Sequence, residues 1–191
     1  MGKPLRERRT AAEWAASRQV IEIADKVSEF PQLEEAVEAD LSMLAEDARP
    51  SAWRESRVTG RLRFGFLDAE QRLPTVDVVA RVTVDAVCQR CLEVFGLPLA
   101  VDVKLLLLDL DDEAEGYDEL EVWEMQERLL RPQDIVEELL VMALPFAATH
   151  TSSSACKALT APSVAPGEEE MTTPFAALRR QMAQDNEGSA E

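Results

Sequence analysis

Two hydrophobic periods run along this chain. In residues 56–66, Val58, Leu62, Phe64 and Phe66 fall on one side and Arg57, Arg61 and Arg63 on the other, the alternation of a half-buried antiparallel strand. Residues 68–72 are polar and predict a turn, after which residues 76–87 resume in β-branched side chains. A further β run covers 94–108, where Gly96 and Pro98 point to an edge or a bulge. Three successive strands with short turns predict a meander, and shorter strands are expected at 19–24 and 120–123. A helical period appears twice. Leu33, Val37, Leu41 and Leu44 form one stripe after Pro31, predicting a helix over 31–46 with Glu34 and Glu35 at its positive end. Ile135, Leu139, Met142 and Ala143 form another after Pro132, ending before Pro145. Thr173 and Pro174 are placed as cap and first residue of a third, short helix.

The pattern predicts an α+β fold: an antiparallel β-meander sheet with two to three packed helices and an irregular C-terminal segment. The expected organisation is a basic N-terminal arm over 1–16, loose or weakly helical, and a core domain over 17–150. A loop or linker over 151–172, a short helix over 173–183 and a disordered tail over 184–191 follow. Residues 109–118 are acidic and read as a solvated loop. No repeat of 20–50 residues is visible, which removes solenoid and propeller readings.

Charge and length narrow the classes. The 191 residues carry a net charge of -17, a field that opposes phosphate backbones and favours basic proteins. It is uneven, with ten acids and no Lys or Arg in 109–127, but five arginines against one acid in 49–63. No apolar run approaches the ~20 residues of a membrane-spanning helix. The basic start is not followed by the apolar stretch of a secretory signal. A cytoplasmic protein with its three cysteines reduced is expected.

Candidate chemistry concentrates at Cys88-Gln-Arg-Cys91, between two predicted strands. A Cys-x-x-Cys on a tight turn aims both sulfurs the same way, as zinc knuckles require. The only histidine, His150, and the third cysteine, Cys156, form a second pair. Together the four residues would make a closed Cys3His site suited to a structural zinc that pins the C-terminal loop to the sheet. Two other readings stand beside it: inert reduced thiols in a turn, and a redox dithiol, although that motif usually opens a helix. Catalysis finds little support, with one histidine, no phosphate-cradling glycine loop and no calcium-loop spacing in the acidic run. For nucleic acid, Arg57, Arg61, Arg63 and Arg90 are the candidates to contact phosphates. The arginine side of the strand lacks stacking aromatics, so a charged solvent face is the competing reading.

At Cys88-Gln-Arg-Cys91-Leu92 the chain resembles the YceD-like family, bacterial large ribosomal RNA subunit accumulation proteins. Ala143-Leu-Pro145, the His150 and Cys156 pair, and Thr173-Pro-Phe-Ala-Ala-Leu178 resemble further family stretches in the same order. Thr173 replaces the family's Asn, the spacer at 151–154 is less acidic, and the segment before Arg18 has no counterpart. The likeness extends over about residues 19–180. It implies a non-catalytic cytosolic factor needed for accumulation of 23S ribosomal RNA. Its partners would be the large-subunit rRNA precursor or basic ribosomal and assembly proteins, without a membrane or small-molecule substrate. Cys88, Arg90, Cys91, His150 and Cys156 carry over as candidate site residues. The alternative is a thiol-dependent redox enzyme or sensor using the Cys-x-x-Cys pair.

Overall fold

A computed structural model describes residues 3–70, 72–109, 121–150 and 156. Eight principal elements follow one another: α1 (Ala11–Ser17), β1 (Val20–Lys26), α2 (Pro31–Leu41), β2 (Arg57–Phe66), β3 (Pro74–Val87), β4 (Val94–Leu108), β5 (Glu121–Glu124) and α3 (Pro132–Met142). The strands form one five-stranded sheet in sequence order. The first four are antiparallel neighbours, while β5 runs parallel to β4, with Leu105 opposite Glu121 and Leu108 opposite Glu124. The expected α+β class and meander are present, extended by one strand at each edge. Pro98 lies in the part of β4 that β5 does not cover, where its missing N–H leaves no ladder position empty.

Strand alternation sends Val58, Leu62, Phe64, Val76, Val78, Ala80, Val82, Leu105 and Leu107 to a single core. The helices cover this face, supplying Trp14 from α1, Leu33 and Val37 from α2, and Ile135, Val136 and Leu140 from α3. The opposite face carries charge. Glu22, Arg61, Val79 and Asp102 lie in register across four strands, and Arg63, Asp77 and Lys104 form the next row.

Two segments differ from expectation. α2 stops at Leu41, short of 46: the Ser42 hydroxyl donates to Ala39 O at 2.7 Å, and Arg49 donates to the carbonyls of Leu44 and Ser42, each at 3.0 Å. Those carbonyls are thereby satisfied without another helical turn. The N-terminal segment is not loose. Thr10 and Glu13 form a reciprocal capping box that starts α1. Trp14 is fully buried, stacks on Phe64 at 5.2 Å and donates its indole N–H to Leu130 O at 3.2 Å. Arg9 and Leu130 exchange backbone hydrogen bonds, so the segment is stapled to the chain just before α3. Residues 110–120 of the acidic connection, like those expected as linker, terminal helix and tail, lie outside the described residues apart from Cys156.

Candidate metal centre and the exposed sheet face

The β3–β4 hairpin places Cys88 and Cys91 side by side. Cys88 N–H donates to Glu93 O at 3.0 Å, and Leu92 N–H returns to Cys88 O at 2.8 Å. Leu92 takes the left-handed conformation (φ 60°) that closes the turn. Two contacts fix the hairpin base and tip. The Asp40 carboxylate, at the end of α2, accepts from Val87 N–H at 2.8 Å, and Gln89 N–H donates to Ala148 O at 2.9 Å. The second brings the chain after α3 onto the hairpin and with it His150, whose ring stacks on Phe95 with centroids 4.7 Å apart.

The four soft donors meet. Cys91 Sγ is 3.3 Å from His150 Nε2, Cys88 Sγ is 3.8 Å from Cys156 Sγ, and all four donor atoms lie within 4.8 Å of one another. Zinc–sulfur bonds of about 2.3 Å in a tetrahedron put neighbouring sulfurs about 3.8 Å apart, so the set fits a four-coordinate zinc ion. Cys88 and Cys156 are buried and Cys91 is half-buried. A closed site shielded from water is what a structural rather than a catalytic ion takes. Three thiolates around Zn2+ would leave one net negative charge, and the Arg90 guanidinium lies 3.9 Å from Cys156 Sγ, where it offsets that charge.

The thiols are electrostatically unequal. Burial opposes ionisation of Cys88 but is outweighed by backbone N–H groups of Cys91, Arg90 and His150, and its pKa falls to about 6. Burial, with the adjacent Cys88 and Cys156 sulfurs, pushes Cys91 upward. The N–H groups around Cys88 thus favour its thiolate form, the form that captures a soft cation.

The candidate arginines do not all come together. Arg57, Arg61 and Arg63 are exposed on the open sheet face, and none of them forms an ion pair among the described residues. Arg81 and Lys104 join that face, a contribution that alternation along the later strands signals. Asp77 and Asp102 interrupt it around a shallow depression of about 300 Å³. Arg49 and Arg54 are engaged elsewhere, Arg49 with carbonyls after α2 and Arg54 with Glu34 at 2.7 Å and Glu38 at 3.0 Å. Arg90 stands at the hairpin tip, about 26 Å along β3 from the row of Arg61 at ~3.3 Å per residue. Asp40 and Phe95, which hold the donor cluster, carry no sequence signal of that role, since neither lies beside its contact in the chain.

This architecture is that of a small α+β protein whose hairpin tip binds together a thiol–imidazole cluster and whose sheet leaves one charged face open. The family model for the Large ribosomal RNA subunit accumulation protein YceD matches residues 76–180, more than half of the chain, including most of β3, the hairpin, α3 and all four donors. The chain belongs to this family. No curated protein and no solved structure matches it. Among the described residues no helix is long and apolar enough to cross a membrane.

Proposed function

We propose that this protein is a non-catalytic ribosome-biogenesis factor, supporting synthesis, processing or stability of 23S ribosomal RNA by binding the rRNA precursor or assembly proteins. The single observation that carries the structural part is the convergence of Cys88, Cys91, His150 and Cys156 within 4.8 Å. The family's connection with large-subunit rRNA supports the biological part. In this reading a structural zinc holds the hairpin against the chain after α3, and the rigid sheet presents Arg57, Arg61 and Arg63 to phosphates in the cytoplasm. Arg90, turned toward Cys156, serves the metal centre before it serves RNA.

The test is depletion in cells, which should lower 23S rRNA while tagged protein co-sediments with large-subunit precursors. Unchanged 23S levels together with no co-sedimentation would reject the proposal. A second reading, thiol redox chemistry, is favoured by the lowered pKa of Cys88. Alkylation separates the two: a metal-held cluster resists the reagent until chelator is added, whereas a redox dithiol reacts in freshly reduced, metal-loaded protein.

A further inference from the structure

β5 is the last strand of the sheet. It pairs with β4 on one side, and among the described residues nothing pairs with its other side. Beside that edge, between β5 and α3, lies a groove of about 1080 Å³ floored by Leu105, Leu130 and Trp123. Leu129 and Met142 stand on its walls with 47% and 72% of their surfaces exposed. A free edge next to exposed apolar side chains is the arrangement that accepts an added strand.

The rim states what kind of strand. Glu121, Glu124, Glu127, Asp134 and Glu138 line it, against Arg8 and Arg131. Both cations are already held, Arg8 by Glu127 at 3.2 Å and Arg131 by Asp134 at 2.5 Å. Glu121, Glu124 and Glu138 have no ion-pair partner among the described residues. RNA is repelled by such a rim, and a second copy of this acidic chain gains nothing from it.

We infer that the β5–α3 groove is a docking site for an extended, Lys/Arg-rich segment of a basic partner protein, which adds a strand to β5. Its backbone pairs with Val122 and Glu124, whose N–H and C=O point away from β4 because Met125 N–H is the one that donates to Leu108 O. Its alternate apolar side chains enter the groove over Leu129 and Met142, and its cations meet the three unpaired glutamates. The inference rests on the proposed rRNA-linked role only in taking RNA-associated basic proteins as the source of that segment. The groove has no residue of β2, the strand of Arg57, Arg61 and Arg63, in its lining and carries the opposite charge.

The test is fluorescence anisotropy with the full chain and a labelled synthetic peptide of alternating lysine and valine. Wild type should bind it, with hydrogen-exchange protection appearing at Val122 and Glu124, the residues whose N–H groups face the free edge. The peptide N-methylated on alternate backbone nitrogens, and one with glutamate in place of lysine, should not bind. Reversing the rim with E121K, E124K and E138K should weaken binding about tenfold or more, three exposed pairs each contributing a fraction of a kcal/mol. Met142→Asp, at a largely exposed position that should leave folding intact, should weaken it as well. Arg61→Ala with Arg63→Ala should leave it unchanged. Equal binding of the N-methylated peptide, indifference to Met142→Asp, or dimerisation without peptide binding would each overturn the inference. RNA binding that persists in those outcomes leaves the proposed function standing.

Discussion

A methyl group added at Gly60 would lie 1.9 Å from the carbonyl oxygen of Val79 and 2.8 Å from the Cα of Ala80. Both contacts are with backbone of the neighbouring strand, so neither can be relieved by turning a side chain. β2 and β3 approach this closely at the centre of the sheet because position 60 has no Cβ. Gly65, five residues along the same strand, has nothing within 4 Å of its added Cβ. Gly60→Ala should therefore lower unfolding free energy by about 3 kcal/mol, the upper end of ordinary substitutions. Gly65→Ala should change it by less than about 0.5 kcal/mol. Urea denaturation of the two variants checks the contrast, and equal effects would show that the strand separation is not set at Gly60.

At the scale of elements, α2 and α3 are joined through one buried carboxylate. Phe30, before α2, offers no side-chain cap, and Glu137 of α3 supplies it by accepting from Gln32 N–H at 2.6 Å and Leu33 N–H at 3.4 Å. Burial nevertheless raises the Glu137 pKa, with Asp134 adding to the rise while the two N–H groups and Arg131 oppose it. A carboxyl raised in the folded state contributes stability below its unfolded pKa of about 4.5 and loses it as pH climbs through the folded value. Glu137→Gln keeps an acceptor without the charge, so its denaturation midpoint should rise relative to wild type as pH increases from about 4.5. Glu137→Ala leaves the N–H groups unpaired and should cost about 1–2 kcal/mol throughout. This cap was not legible in the sequence, because its partners are 105 and 104 residues apart and only tertiary packing creates it. The same holds for Trp14, whose partner Leu130 is 116 residues away, and for the parallel pairing of β5. What could be read was local: the strand alternation of β2–β4, the stripe of α2, the existence of α3 and the Cys-x-x-Cys turn. The face α3 buries, however, is that of Ile135, Val136 and Leu140, and it leaves the expected Met142 72% exposed. Thr10-x-x-Glu13 was equally local and signals α1, but composition suggested only a loose or weakly helical arm.

On the scale of the whole molecule, an acidic protein must separate what it offers to phosphates from what it offers to other partners. If Arg61 and Arg63 meet the RNA backbone, replacing both with Ala should lower the salt dependence of binding by roughly one ion released per arginine, without changing sequence preference. Filter binding across a salt series measures this, and an unchanged slope would place the contact elsewhere. That face depends on a hairpin held at its far end by residues 59 to 68 positions apart, and here the metal has its effect. A ligand that binds the folded state at a hundredfold over its dissociation constant adds about 2.7 kcal/mol, which for a chain of this size is about 5–10 °C in Tm. Protein purified without chelator should contain one zinc per chain, and chelation should lower Tm by that amount and open the chain after Met142 to protease. Cys156→Ser should do the same without chelator, since the sulfur 3.8 Å from Cys88 is replaced by a poorer zinc donor. Zinc binding requires thiolates and a neutral imidazole, so the stabilisation should fade on acidification in wild type and be absent at every pH in Cys156→Ser. A zinc-free protein with the same Tm before and after chelation would mean that hydrogen bonds alone hold the cluster. The hairpin would then rely on Asp40 and the Gln89–Ala148 bond for its position.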